Sequence, residues 1–272
     1  MATNSLNLNG GTIRDAWNTN VILTLANPGA LNSIADNQAI VIDSTVPTIV
    51  AVSSSNADGT YGIGDQVLVQ VTFSEPVSVT GSPYITLEMG ATDRNATYLS
   101  GSSTTTLTFR HTIVAGDTSA DLDYTNTSAL NLNGGTIRDV ASNNATLTLA
   151  TPSALNSISD NQALVVDTSA ATVVGVISTN ADGTYGIGQT ITVEVGFSKA
   201  VTVTGTPYIR LEMGTTDRNA TYVSGSSTTS LTFTYTIVAG DTNTDLDYTT
   251  TTALNLNSGT IRDQWGTNAT LT

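Results

Sequence analysis

The chain contains no cysteine, and it is almost without positive charge. Eight Lys and Arg, among them a single lysine at Lys199, stand against 22 Asp and Glu, and the one histidine is His111. The net charge of -14 excludes a nucleic-acid partner, because phosphate contacts need clustered Lys and Arg. Without cysteine there is no disulfide framework, no thiol nucleophile and no zinc-ligand spacing. No apolar run approaches the ~18 residues of a membrane span. The opening MATNSLNLNG has neither a basic nor an apolar leader region, so no secretory signal is visible. What remains is rich in Thr, Ser, Asn and Gly, yet 39% of residues are apolar, enough to form packed cores.

The dominant feature is repetition. LNLNGGTIRD occupies 6–15, recurs unchanged at 130–139 and returns as LNLNSGTIRD at 254–263. NADGTYGIG begins at Asn56 and Asn180, TDRNATY at Thr92 and Thr216, and TIVAGD at Thr112 and Thr236, each pair 124 residues apart. That period is too long for a solenoid and suits separate domains. Within each unit the local pattern is β. Val67, Val69, Val71 and Phe73 share one parity in QVLVQVTFS, and the copy keeps Ile191, Val193, Val195 and Phe197. Leu107, Phe109 and Ile113 alternate likewise, as do Ile85, Leu87 and Met89. Period-2 alternation between turn-forming clusters predicts seven or eight short strands per unit, hence an antiparallel sandwich.

The expected fold class is therefore all-β, as tandem Ig-like (cadherin-like) antiparallel β-sandwiches. Linkers are expected near 43–47 and 167–171, which phases the chain out of step with its ends. Residues 1–45 match only the closing part of a unit, 46–167 make a complete unit, and 168–272 lack the last stretch. The missing stretch is LATPSALNSISDNQALVVD (149–167) in the complete unit, and its like stands near the start as LTLANPGALNSIADNQAIVID (23–43).

Taken together, ADGTYGIGD, VTFSEPVSVTG, STTTLTFRHTIVAGDTSADLDY, LNLNGGTIRD and NQAIVIDSTVP resemble the tandem Ig-like or cadherin-like repeats of very large bacterial cell-surface proteins. The nearest group is the one described as swimming-motility or flagellar-system-associated repeats. The resemblance spans essentially the whole chain. It implies an extracellular location, at a bacterial surface or secreted, a role as an adhesin or stalk, and no enzymatic activity. Calcium binding is common among related surface repeats.

Calcium ligands, if present, are expected in the clusters GDTSADLDY and GDTNTDLDY: Asp117, Asp121, Asp123, Asp241, Asp245 and Asp247. Hard cations take six to eight oxygens, which close-set carboxylates and carbonyls supply. The spacing matches no EF-hand loop, and the competing reading is that Asp bonds local amides in turns. Asp15, Asp43, Asp58 and their copies are secondary candidates on the same terms. Glu75 becomes Lys199 and Asp65 becomes Gln189, so a site built on either would exist once. His111 shares parity with Leu107, Phe109 and Ile113 and has Tyr235 as its copy, which favours a packing role over catalysis.

A sandwich without its last strand exposes an unpaired edge. One solution is β-augmentation by the N-terminal segment of a neighbouring copy. The donated strand is then expected at Gln38, Ala39, Ile40, Val41, Ile42 and Asp43. It would enter beside Asn268, Ala269, Thr270, Leu271 and Thr272. The alternative is a piece of a longer array whose partners are adjacent repeats. A third class, a carbohydrate-binding module, would meet surface glycans through Tyr84 or Trp17.

Overall fold

The computed structural model describes residues 6–272. The protein is nearly all β, in antiparallel sheets that curl around apolar cores, a β-sandwich architecture. The described residues form two compact units. One comprises the chain up to Thr45 with Ala141–Asn143; the other comprises Val46–Val140 and Asn144–Thr272.

The larger unit holds two sandwiches. The first is built from β1 (Ile49–Ser54), β2 (Gly59–Tyr61), β3 (Gln66–Thr80), β4 (Tyr84–Leu87) and β5 (Arg94–Ser100). It continues with β6 (Thr104–Thr112), β7 (Thr118–Ser119), β8 (Leu130–Asn131), β9 (Thr136–Arg138) and β10 (Leu164–Asp167). Its main sheet runs β1-β3-β6-β5-β4-β8, with β9 pairing the far end of β3. The second sandwich comprises β11 (Val173–Ser178), β12 (Thr190–Thr204), β13 (Tyr208–Leu211), β14 (Arg218–Ser224), β15 (Thr228–Thr236), β16 (Leu254–Asn255) and β17 (Thr260–Arg262). Its order, β11-β12-β15-β14-β13-β16 with β17 on β12, is the same.

Alternation explains the layering. In β3 the side chains of Val67, Val69, Val71 and Phe73 are all buried, and so are Ile191, Val193, Val195 and Phe197 in β12. The pairing of β3 with β6 breaks between Thr72 and Val77, where Glu75 and Pro76 interrupt it. Pro cannot donate to the ladder, so it belongs at such a break. Beyond the break, Ser78–Thr80 turn to pair with β9. One strand thereby serves both layers. Edge-on contacts of Tyr98 with Phe109 and of Tyr222 with Phe233, each with centroids 5.9 Å apart, fill equivalent places in the two cores.

The sandwiches differ at one face. In the first, helix α2 (Ile158–Asn161) and β10 close the core, and β10 forms a three-stranded sheet with β2 (parallel) and β7 (antiparallel). In the second, residues 183–185 and 242–243, the counterparts of β2 and β7, belong to no strand.

The smaller unit contains helix α1 (Ile34–Asn37), which has the local structure of α2. Ser33 caps α1 as Ser157 caps α2, both in extended conformation, and Gln38 and Gln162 close the two helices through their amides. Numbered in chain order, α1 precedes β1 and α2 precedes β10.

Candidate functional site: an open face on the second sandwich

The closed face of the first sandwich defines what an occupied face looks like. Ile158, Leu164 and Val166 enter the core that holds Val52, Leu122 and Tyr124. Polar contacts fix the register. The amides of Val52, Gly59 and Leu122 donate to the carbonyls of Asn156, Ala163 and Leu164 at 2.9, 3.0 and 2.8 Å. The Asn161 side chain donates to the Val52 carbonyl, and the Ala163 amide donates to Asp58 Oδ1. The Tyr124 hydroxyl donates to the Ala150 carbonyl at 2.8 Å. Burial, with the Asp123 charge beside it, pushes the Tyr124 phenol far up, so it stays a neutral donor.

In the second sandwich the corresponding groups, Val176, Gly183, Leu246 and Tyr248, make none of these bonds among the described residues. Their surroundings are open. Leu246 is 37% exposed where Leu122 is 0%, and Tyr248 is 37% exposed where Tyr124 is 1%. Two adjoining cavities mark the gap. One, of about 110 Å³, is lined by Val173, Val176, Ile209, Tyr248, Leu254 and Leu271. The other, of about 100 Å³, is lined by Val176, Ile191, Val193, Leu246, Asp247 and Tyr248. β-augmentation uses apolar surface beside unpaired strand positions.

The expected accepting edge carries contacts of its own. Asn268–Thr272 is already paired: Thr270 bridges Thr172, Asn268 bridges Arg262, and the Ala269 amide donates to the Ile261 carbonyl. Its counterpart in the first sandwich makes the same contacts, with Thr146 bridging Thr48. Leu271 and Thr272 line the first cavity, so this segment borders the face. Among the described residues, 183–185 and 242–243 lack the strand pairing of their counterparts β2 and β7. The sequence does not mark them, because GTY and TN are too short to show alternation.

The smaller unit presents the residues expected to be donated. Ile34, Ile40 and Ile42 are 76%, 67% and 91% exposed, whereas their counterparts Ile158, Leu164 and Val166 are 0%, 0% and 2%. A concavity of about 440 Å³ is lined by Leu25, Pro28, Ser33, Ile34, Gln38 and Ile40. Its local hydrogen bonds are those of the buried copy. The Ala30 amide donates to Asn27, that of Ser33 to Ala30, and that of Gln38 to Ile34. In the copy, Ala154 donates to Thr151, Ser157 to Ala154 and Gln162 to Ile158. Asn32 takes a left-handed φ of 65° and Asn156 one of 71°.

In each acidic cluster the first carboxylate, Asp117 or Asp241, is spent on protein donors. The Asp117 carboxylate is fully buried, pairs with Arg94 Nε at 2.6 Å and His111 Nε2 at 2.8 Å, and accepts the Val114 amide at 3.0 Å. Burial alone would raise its carboxyl, but the Val114 amide, His111 and Arg94 together hold it below its ordinary value of 3.8. In the second sandwich Asp241 meets Arg218 Nε at 2.8 Å and accepts from the Tyr235 hydroxyl at 2.6 Å. His111 and Tyr235 thus do the same packing and bonding work. Asp121 and Asp245 are exposed. Neither Asp117, Asp121 and Asp123 nor Asp241, Asp245 and Asp247 bring their carboxylates together around one point. Asp15 and Asp263 are turn acceptors, each receiving the amides two and four residues on.

The chain matches no protein-family model, and no curated protein matches it. The functional reading therefore rests on the geometry and on the sequence.

Proposed function

We propose that the protein is a non-enzymatic structural subunit whose copies join head to tail. Residues 25–43 of one copy close the open face of the second sandwich of the next. The observation that carries this reading is internal to the chain. A segment of nearly the same sequence, 149–167, fills the same face of the first sandwich in the conformation that residues 27–38 already hold. A preformed segment loses little conformational freedom on docking. Burying three side chains of Ile size gains roughly 1.5–3 kcal/mol each, and pairing Ile40–Asp43 with 183–185 and 242–243, in the register of the first sandwich, adds backbone hydrogen bonds. The contact is heterologous, so it propagates a filament instead of closing a dimer.

This sharpens the adhesin or stalk role that the sequence resemblance implies, at an extracellular surface. No helix among the described residues is long and apolar enough to cross a membrane. Negative-stain microscopy and light scattering test the reading. The intact chain is expected to form filaments, and a variant lacking residues 25–43 is expected to stay monomeric with both sandwiches folded. Filaments that persist after the deletion would sink the proposal, as would an intact chain that stays monomeric at high concentration.

A further inference from the structure

Asp123 is a buried carboxylate with no cation beside it among the described residues. Its charge is held by hydrogen bonds from the closing segment. The Ser153 amide donates at 2.9 Å, the Ile158 amide at 3.3 Å and the Ser159 hydroxyl at 2.9 Å, alongside the amide of Tyr124. A single carboxylate therefore reads the loop, the helix start and one hydroxyl of the segment that covers it.

The second sandwich keeps the acid and lacks the donors. Asp247 is exposed, lines the second cavity and among the described residues accepts only the amide of Tyr248, at 2.8 Å. Resting on the head-to-tail reading above, we infer that Asp247 is the specificity-determining anchor of the junction. It accepts the amides of Gly29 and Ile34 from a second copy, as Asp123 accepts those of Ser153 and Ile158. An apolar face alone admits any greasy segment. A carboxylate that becomes buried on docking admits only a segment with donors at the matching places, because an unsatisfied buried charge is strongly unfavourable.

The donor segment departs from the buried copy at one of these places. Ser159 is replaced by Ala35, which has no hydroxyl to offer. The junction between copies is thus one charge-assisted hydrogen bond poorer than the closure built into the first sandwich. That makes the junction weaker and reversible where the internal closure is permanent.

Sedimentation and light scattering on the full chain test this through the concentration at which assembly begins. Asp247→Asn is expected to raise that concentration about 10–100-fold, and Ala35→Ser to lower it about 5–10-fold. In the Asp247→Asn background, Ala35→Ser should change it less than about twofold, since its partner charge is gone. Asp245→Asn, at an exposed neighbour, should leave it unchanged. Unaltered melting of each monomer excludes misfolding as the cause. If Asp247→Asn assembles like the parent while deletion of 25–43 abolishes assembly, the anchor is wrong and head-to-tail joining stands. If the deletion variant also assembles, or the parent never does, both fall.

Discussion

At the scale of single residues, equivalent carboxylates have different fates, and neighbours decide between them. Asp123 is bonded by Ser153, Ile158 and Ser159 of the closing segment, and among the described residues Asp247 has no such segment. Asp123→Ala is expected to destabilise the first sandwich by about 2–4 kcal/mol, because several amides lose their acceptor at once. Asp247→Ala in the monomer should cost under about 0.5 kcal/mol. Urea titrations that report each transition compare the two directly. Asp117 sets an acid limit. Its folded value is depressed, so it contributes stability that is present above its ordinary value of 3.8 and is lost as pH falls through the lower folded value. Thermal melts from pH 5 to pH 2 should therefore show a steep acid loss below about pH 4. Asp117→Asn should flatten that limb and lower stability at neutral pH by about 1–3 kcal/mol. None of this was readable from GDTSADLDY itself. Spacing shows that carboxylates are close in sequence, but their hydrogen-bond donors come from other strands and loops.

At the scale of elements, the long strands were legible. Alternation in QVLVQVTFS, PYITLEM and TLTFRHTIV picks out residues that are buried in both copies, except that Ile113 is buried and its copy Ile237 only partly so, since the period of two is set by the backbone. The very short strands β2 and β7 and the parallel pairing of β10 were not, because three residues carry no period. The closing segment was legible as a repeat but not as the owner of a helical turn. Its two copies give a paired prediction. Ile158→Ala should cost about 2–5 kcal/mol by opening a cavity. Ile34→Ala should leave monomer stability unchanged and weaken assembly. Trp265 joins the two sandwiches, alongside the ion pair of Lys199 with Asp167. Trp265 Nε1 donates to Asp65 Oδ2 at 2.8 Å, its ring lies against Gly62, and Lys199 sits over it at 5.8 Å from the centroid. Any side chain at Gly62 would collide with that ring. Trp265→Ala should therefore loosen the pair, seen as two separated melting transitions in place of closer ones, and Gly62→Ala should do the same. The first unit has Ala141 at the Trp265 position, so the repeat did not announce this contact.

At the scale of the whole molecule, the chain carries its own standard of comparison: one sandwich whose face is covered, a second whose face is open, and a segment shaped like the cover. The resemblance to bacterial surface repeats implies a setting; it does not say which face would join copies under the head-to-tail proposal. Because the chain has no cysteine, added thiols report on that face without interference. In the first sandwich Val166 stands opposite Ser119, so the positions to join are Ile42 and Asn243. The double variant Ile42→Cys/Asn243→Cys, oxidised and run under non-reducing conditions, is expected to give a ladder of covalent dimers, trimers and longer chains that reducing agent collapses. Only monomer, whether unlinked or closed on itself by an internal disulfide, would contradict the account.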